Sequence, residues 1–393
     1  MSDAVIAANQ REYRLPDRPV AVICADGCAE EYLALGFARG ELPNLARLAA
    51  NGYYGLARGA LPSFTNVNNC AMVTGTPPSQ TGIGGNYILD PDTGEEVMTN
   101  SSRFLRNDTI LAAASAAGRR VAMVTAKDKL RELLSKGMNG IAVSAEKADD
   151  VSVKVNGIDD VESLAGPKPS IYSGDASLYV LRVGVELLRA GRADFLYLSL
   201  TDYMQHKYAP EAPESREFYR AIDAEIGRLL DLGAIVGITA DHGMSSKDRL
   251  VHLPAELAPH GIQAQAVPII KDRYTVHHSN LGGCIYLYLG DGEIDQALAV
   301  IRQIDGVDQA LSREEAAQTF RLMPGRIGDI MVLGSPGVVF GDPEQVTLPP
   351  TLRSHGSLHE ERVPVIGYGG NFDGFEFKEN KDLGRFVFER VLG

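Results

Sequence analysis

A chain of 393 residues and 42.3 kDa exceeds one minimal core, so one large α/β domain with an insertion, or two domains, is expected. Hydrophobic residues at 45% and charged residues at 23% are ordinary for a globular chain, and no window approaches the ~20 consecutive apolar residues that a membrane span needs. The net charge of −13 argues against nucleic acid or an anionic membrane as partner, because both need a basic surface, so an anionic substrate has to be drawn in locally.

The opening stretch MSDAVIAANQREYRLPDRPV carries acidic and polar residues where a secretory leader has a basic segment and then an apolar one, which points to the cytoplasm. Pro19 to Cys24 (PVAVIC) is a short β-branched run ending in Ala25-Asp26-Gly27, the form of a buried parallel strand followed by a sharp loop. Arg120 to Thr125 (RVAMVT), Asp194 to Leu200 (DFLYLSL) and Ala234 to Thr239 (AIVGIT) repeat that form. Between them run helical patterns, among them LPNLARLAANG, NDTILAAASAAG, ASLYVLRVGVELLRAG and SREFYRAIDAEIGRLLDLG. Strand and helix alternate, which predicts an α/β fold with a mostly parallel central sheet and helices on both faces.

From about Arg249 the rhythm changes to short strand-like pieces (AQAVPII, CIYLYLG, DIMVLG, GVVFG) with the helical stretches IDQALAVIRQ and SREEAAQTF among them. Residues 249–350 are therefore read as an inserted α+β cap, and residues 1–248 with 351–393 as the core. The core closes with a strand VPVIGYG and a C-terminal helix near LGRFVFERVLG. Cys24, Cys28, Cys70 and Cys284 are widely spaced and form no paired CxxC sets, so reduced structural thiols are expected.

Ligands of an open α/β sheet bind beyond the carboxyl ends of its strands, and four polar clusters fall there: Asp26, the pair Lys127 and Lys129, the pair Asp202 and His206, and Asp241 with His242. Taken singly, an Asp after a strand is usually a helix cap or turn former. Jointly, Asp and His supply what two nearby dications require, carboxylates to offset their repulsion and imidazoles to complete their shells. Asp202 and His206 are four apart, so one helical turn presents both on the same side. Thr65, in LPSFTNVNNCAMVTG, has two readings. Ser63 or Thr65 caps a helix, or the Thr65 hydroxyl at a positive helix end, beside a metal, is a nucleophile.

The chain resembles the phosphonoacetate hydrolase branch of the alkaline phosphatase superfamily, near the nucleotide pyrophosphatase/phosphodiesterases. The resemblance runs through ADG, PSFTNVNN, GTPPSQTGIGGNY, TAKDKL, TDYMQHKYAP, TADHGM, YTVHHSNLGG, MPGRIGDIMVLG and RSHGSLHE. It implies one metal held by Asp202, His206 and His355, and a second by Asp26, Thr65, Asp241 and His242, with zinc the expected ion and manganese or iron also suited to the donors. His359 is the alternative late ligand. The resemblance further implies Thr65 as nucleophile, Asn86 in GGNY as a donor to a phosphonate oxygen, and Lys127 and Lys129 as a clamp for the substrate carboxylate. His277 and His278 are left between cap packing and lid contact. The implied activity is hydrolysis of the C–P bond of phosphonoacetate, with a small-molecule phosphonate as the partner. Phosphate-ester hydrolysis at the same metals, or metal-dependent phosphonate binding without turnover, are the alternatives. A homodimer is expected from the frequency of such assemblies.

Overall fold

The computed structural model describes residues 5–290, 292–370 and 375–383, with the backbone of Arg390–Val391. The core sheet is built from β1 (Val20–Cys24), β2 (Tyr53–Arg58), β3 (Val121–Thr125), β4 (Ile141–Ser144), β5 (Phe195–Ser199), β6 (Ile235–Thr239) and β7 (Arg362–Tyr368). Their order is β2-β7-β6-β1-β5-β3-β4. The five strands from β6 to β4 are parallel, whereas β7 runs antiparallel to β6 and β2 antiparallel to β7. Sequence pattern does not single out β2 or β4. The first is an edge strand with Tyr54 and Leu56 exposed, and the second has only four residues.

The parallel strands are buried on both faces, which is why they read as continuous apolar runs. Alternate side chains enter different cores. Val20, Cys24, Met123 and Tyr197 pack with Val67, Cys70 and Val73 of helix α2 (Thr65–Thr74) and with Ile110 and Leu111 of α3 (Ile110–Ala116). Ala21, Ile23, Leu196 and Leu198 face Leu45 and Leu48 of α1 (Pro43–Asn51), Val180 and Leu187 of α4 (Asp175–Arg189), and Phe218 and Ile222 of α5 (Pro213–Asp231). Local chemistry sets the helix ends. Pro43 opens α1, the Thr109 hydroxyl accepts from the Ala112 N–H before α3, and Gly233 with φ +75° follows α5.

A separate antiparallel sheet runs Ala264–Pro268, Cys284–Leu289, Ile330–Gly334, Val307–Ser312 in that spatial order. Helices Ile294–Ile301 and Arg313–Phe320 accompany it, the second started by a capping box of Ser312 and Glu315. This region has its own apolar cluster around Leu253, Leu287, Leu298, Ile301 and Val332. The chain enters and leaves it side by side, Ser245–Ser246 pairing antiparallel with Arg353–Ser354.

Of the C-terminal helix expected over LGRFVFERVLG, residues 384–389 and 392–393 lie outside the described residues. Arg390–Val391 form a strand instead, paired with Tyr13 and Arg14 of an N-terminal hairpin. All four cysteines are free and buried. Among the described residues no helix is long and apolar enough to cross a membrane.

Candidate active site

The register of the parallel strands places the site. Thr239, Cys24, Ser199 and Thr125 lie level across the neighbouring strands β6, β1, β5 and β3. Residues two or three positions further on therefore emerge along one rim: Asp241, Asp26, Asp202 and Lys127, all buried. Gly27 allows two of these loops to meet. It adopts φ +70°, and a Cβ there would come within 2.9 Å of the Asp202 Cβ.

Two groups of ligand-type atoms result. Asp202, His206 and His355 present an oxygen and two nitrogens within 4.8 Å of one another, and Asp26, Asp202 and His242 present two oxygens and a nitrogen equally close together. Asp202 Oδ2 lies 2.8 Å from His206 Nε2 and 3.7 Å from His355 Nε2, and His242 Nε2 lies 3.3 Å from Asp26 Oδ1 and 3.6 Å from Asp241 Oδ2. Each imidazole has its other nitrogen against a main-chain carbonyl. His206 Nδ1 is 2.6 Å from Arg353 O, His242 Nδ1 2.9 Å from Gly243 O, and His355 Nδ1 2.7 Å from Ser63 O. A carbonyl can only accept, so the Nδ1 atoms carry the protons and the Nε2 lone pairs face the carboxylates. Indeed Asp26 Oδ1, His206 Nε2 and His355 Nε2 are buried without a hydrogen-bond partner. Lone pairs set against carboxylate oxygens in a dry interior are what a cation between them would satisfy, and the residues fit divalent metal ions.

The charges agree. Burial, then the charges of Asp202 and Asp241, push the Asp26 carboxyl well above its ordinary range, and burial with the Asp202 charge pushes Asp241 up to about 6. Asp241 is anchored on one oxygen by the N–H groups of Gly27 (3.2 Å) and His242 (3.0 Å) and on the other by Asn69 Nδ2 (3.4 Å). Asn69 in turn accepts from Tyr197 OH at 2.7 Å and Ser199 Oγ at 3.1 Å.

Thr65 is the first residue of α2, and its hydroxyl lies 3.4 Å from His242 Nε2. It is not a cap. Phe64 occupies the N-cap position without a side-chain cap bond, and the Ser63 hydroxyl donates to Ser357 O at 2.5 Å. Asn86 Oδ1 accepts from the Asn66 N–H at 2.8 Å, seating its amide at the same helix end. Two residues before Asn86, Gly84 lets the backbone pass close to Arg326, since a Cβ there would sit 2.8 Å from Arg326 O.

Lys127 Nζ lies 3.4 Å from Asp202 Oδ1. Burial opposes its charge, but Asp202, Asp26 and Asp272 outweigh burial and hold the ammonium above its ordinary pKa. Lys129 Nζ is bonded to Asp272 Oδ2 at 2.5 Å, so a carboxylate from residues 249–350 reaches it. Both ammonium groups stand over the Tyr274 ring, at 5.2 and 5.1 Å. His278 Nε2 pairs with Asp272 Oδ1 at 3.1 Å, while His277 is buried among Tyr172, Tyr203 and Tyr274. His359 is directed elsewhere, pairing with Asp308 at the surface at 3.1 Å. Sequence reasoning did not single out Asn69, Asp272 or Tyr274. Asn69 had a signal, lying four residues after Thr65 and hence on the same helix face, whereas Asp272 and Tyr274 are brought in by tertiary folding alone.

The chain matches the type I phosphodiesterase/nucleotide pyrophosphatase family over residues 20–358. It is similar to the solved structure of phosphonoacetate hydrolase from Sinorhizobium meliloti 1021 in complex with phosphonoacetate, at 39% identity and a TM-score of 0.92, covering 98% of this chain and 99% of that one. The same relative in complex with phosphonoformate matches equally. Murine ectonucleotide pyrophosphatase/phosphodiesterase 5 shares the fold at 15% identity, with a TM-score of 0.66 over 94% of this chain and 93% of that one. The chain belongs to the type I phosphodiesterase/nucleotide pyrophosphatase family, within the alkaline phosphatase superfamily, and is a hydrolase of that group.

Proposed function

We propose that this chain hydrolyses the C–P bond of phosphonoacetate to acetate and phosphate, using Thr65 as nucleophile and two divalent cations, zinc, as cofactors. The observation that carries the metal assignment is the convergence of the His206, His242 and His355 Nε2 atoms on carboxylate oxygens of Asp26, Asp202 and Asp241 in a buried site. Asp202, His206 and His355 would hold one ion, and Asp26, Asp241 and His242 with Thr65 the other. Bound there, the ions supply Lewis-acid stabilisation of phosphonate oxygens and a lowered pKa for the Thr65 hydroxyl.

Thr65 then forms a bond to phosphorus as the C–P bond breaks, aided by the positive end of α2 on which it stands. Asn86 donates to a phosphonate oxygen. The electron pair of the broken bond passes to the CH2 carbon and spreads into the adjacent carboxylate, an enolate that Lys127 and Lys129 stabilise until the carbon takes up a proton. Water cleaves the phospho-threonine. Lys127, buried, and Lys129, half-buried, supply locally the positive charge that a chain of net charge −13 lacks globally. Residues 249–350 act as the cap, contributing Asp272 and Tyr274 beside the lysines, and the enzyme works in the cytoplasm on a small phosphonate as a homodimer.

Phosphate release from phosphonoacetate, methylphosphonate and bis-p-nitrophenyl phosphate, each with and without chelator, tests this reading. Chelator-sensitive release is expected from phosphonoacetate and not from methylphosphonate, which offers no carboxylate. Release from the ester alone would retain the metal site and overturn the substrate.

A further inference from the structure

His277 is 3% exposed, and neither of its ring nitrogens has a hydrogen-bond partner. Leaving two buried polar atoms unpaired is destabilising, so such a side chain is retained against its own stability cost unless something docks on it. Its walls are aromatic. The ring stands edge-on to Tyr203 at 5.0 Å, tilted to Tyr172 at 5.2 Å and edge-on to Tyr274 at 6.0 Å. None of these contacts satisfies an N–H.

Tyr274 links this ring to the lysine pair, because Lys127 and Lys129 stand over the same phenol ring. Burial and the Lys127 charge both keep the imidazole neutral, so it offers one N–H donor and one acceptor. Tyr172 on its outer side is 38% exposed, so one aromatic layer separates His277 from solvent. The neighbouring His278 differs in that it is already committed to Asp272.

Resting on the function proposed above, we infer that His277 is a specificity-determining residue: its N–H donates to a carboxylate oxygen of the bound substrate, opposite Lys127. Two lysines attract any anion, as point charges, whereas a neutral donor in an aromatic wall accepts only a group that reaches it at hydrogen-bonding distance. The contact distinguishes a carboxylate-bearing phosphonate from free phosphate.

The test uses the full-length, metal-loaded protein and its His277→Phe and His277→Gln variants. Two constants are measured for each, KM for phosphonoacetate and the inhibition constant of inorganic phosphate, and thermal melting verifies that each variant folds. In His277→Phe, which keeps the ring volume and loses the donor, the ratio of KM to the phosphate constant should rise about tenfold, a lost hydrogen bond to a charged group. His277→Gln, which restores an N–H, should recover most of that change. A ratio unmoved in both variants, or raised equally in both, overturns the inference. If the wild-type chain cleaves phosphate esters but releases nothing from phosphonoacetate, the proposed function fails and takes this role with it. Wild-type turnover with an unmoved ratio removes the His277 role alone.

Discussion

His242 and His355 stack face to face, ring centroids 3.4 Å apart and planes within 6° of parallel. The stack separates the two ligand groups, since the His242 Nε2 faces Asp26 and the His355 Nε2 faces Asp202. His355→Ala should therefore lower metal affinity and turnover by at least ~100-fold, beyond what the loss of a mere outer partner causes. His359→Ala removes only a surface pair and should change stability by less than about 0.5 kcal/mol. Metal titration and phosphate release on both variants check the contrast; equal effects would return His359 to consideration.

Stripping the metals should lower the melting temperature, because the buried carboxylates then repel without a cation. An ion present at 100 times its Kd stabilises by about 2.7 kcal/mol, several degrees in Tm. The pH dependence has a definite sign. Asp241, pushed up to about 6, favours the metal-free fold below its unfolded pKa, and that contribution is lost as pH rises through about 6. Zinc binding needs the carboxylate, so it should release more protons at pH 6 than at pH 8. Calorimetry in buffers of different ionisation enthalpy measures the difference.

Asp272 joins Lys129 and His278 and also accepts the Tyr274 N–H at 2.8 Å. Burial opposes its ionisation, but the Lys129 charge and the His278 contact prevail and hold its carboxyl far below the usual range. A depressed pKa gives stability that is present above the unfolded value and lost as pH falls. The melting temperature of Asp272→Asn should lie below wild type at neutral pH, and the gap should begin to narrow below pH ~4, where the unfolded aspartate takes up its proton, and go on shrinking as pH falls further. A gap independent of pH would show that the ion pair is not its source.

Lys247 and Glu360 form a fully buried pair at 2.9 Å, and Glu360 also accepts from the Ser245 and Ser357 hydroxyls. The pair ties the loop after His242 to the loop after His355. Removing one partner leaves an isolated buried charge, so Lys247→Met or Glu360→Leu should each cost about 3–5 kcal/mol, while the two together should cost less than the sum. Urea denaturation of the single and double variants gives the coupling.

Much of this architecture was legible in the sequence because its signals are local. A parallel strand with both faces buried announces itself as a run such as VAVIC or FLYLS, and the polar residue after it is marked by position alone. Edge strands carry weaker signals: Tyr53–Arg58 alternates with exposed and glycine positions, and Ile141–Ser144 is too short to stand out. The pairing of Asp202 with His206 follows from helical spacing, but the arrival of His355, Asp272 and Tyr274 depends on the path of the intervening chain. Nor does spacing disclose that the Lys129 ammonium is already held by a carboxylate. The Thr65 helix shows the limit most plainly, since pattern alone suggested a capping hydroxyl at Ser63 or Thr65, while the fold spends the Ser63 hydroxyl on Ser357 and leaves Phe64 at the cap.

The two ligand groups draw on residues far apart in sequence, Asp26 in one and His355 in the other, with Asp202 common to both groups. During synthesis the His206 and Asp202 side chains emerge together, but their third partner, His355, is added only after the intervening antiparallel sheet has been made. A prematurely terminated product can build most of the parallel sheet and still lack a place for the second imidazole of that group. Metal binding by that group therefore has to wait for synthesis to pass His355, and a product that stops short of it keeps the buried carboxylates without the full set of ligands that would neutralise them.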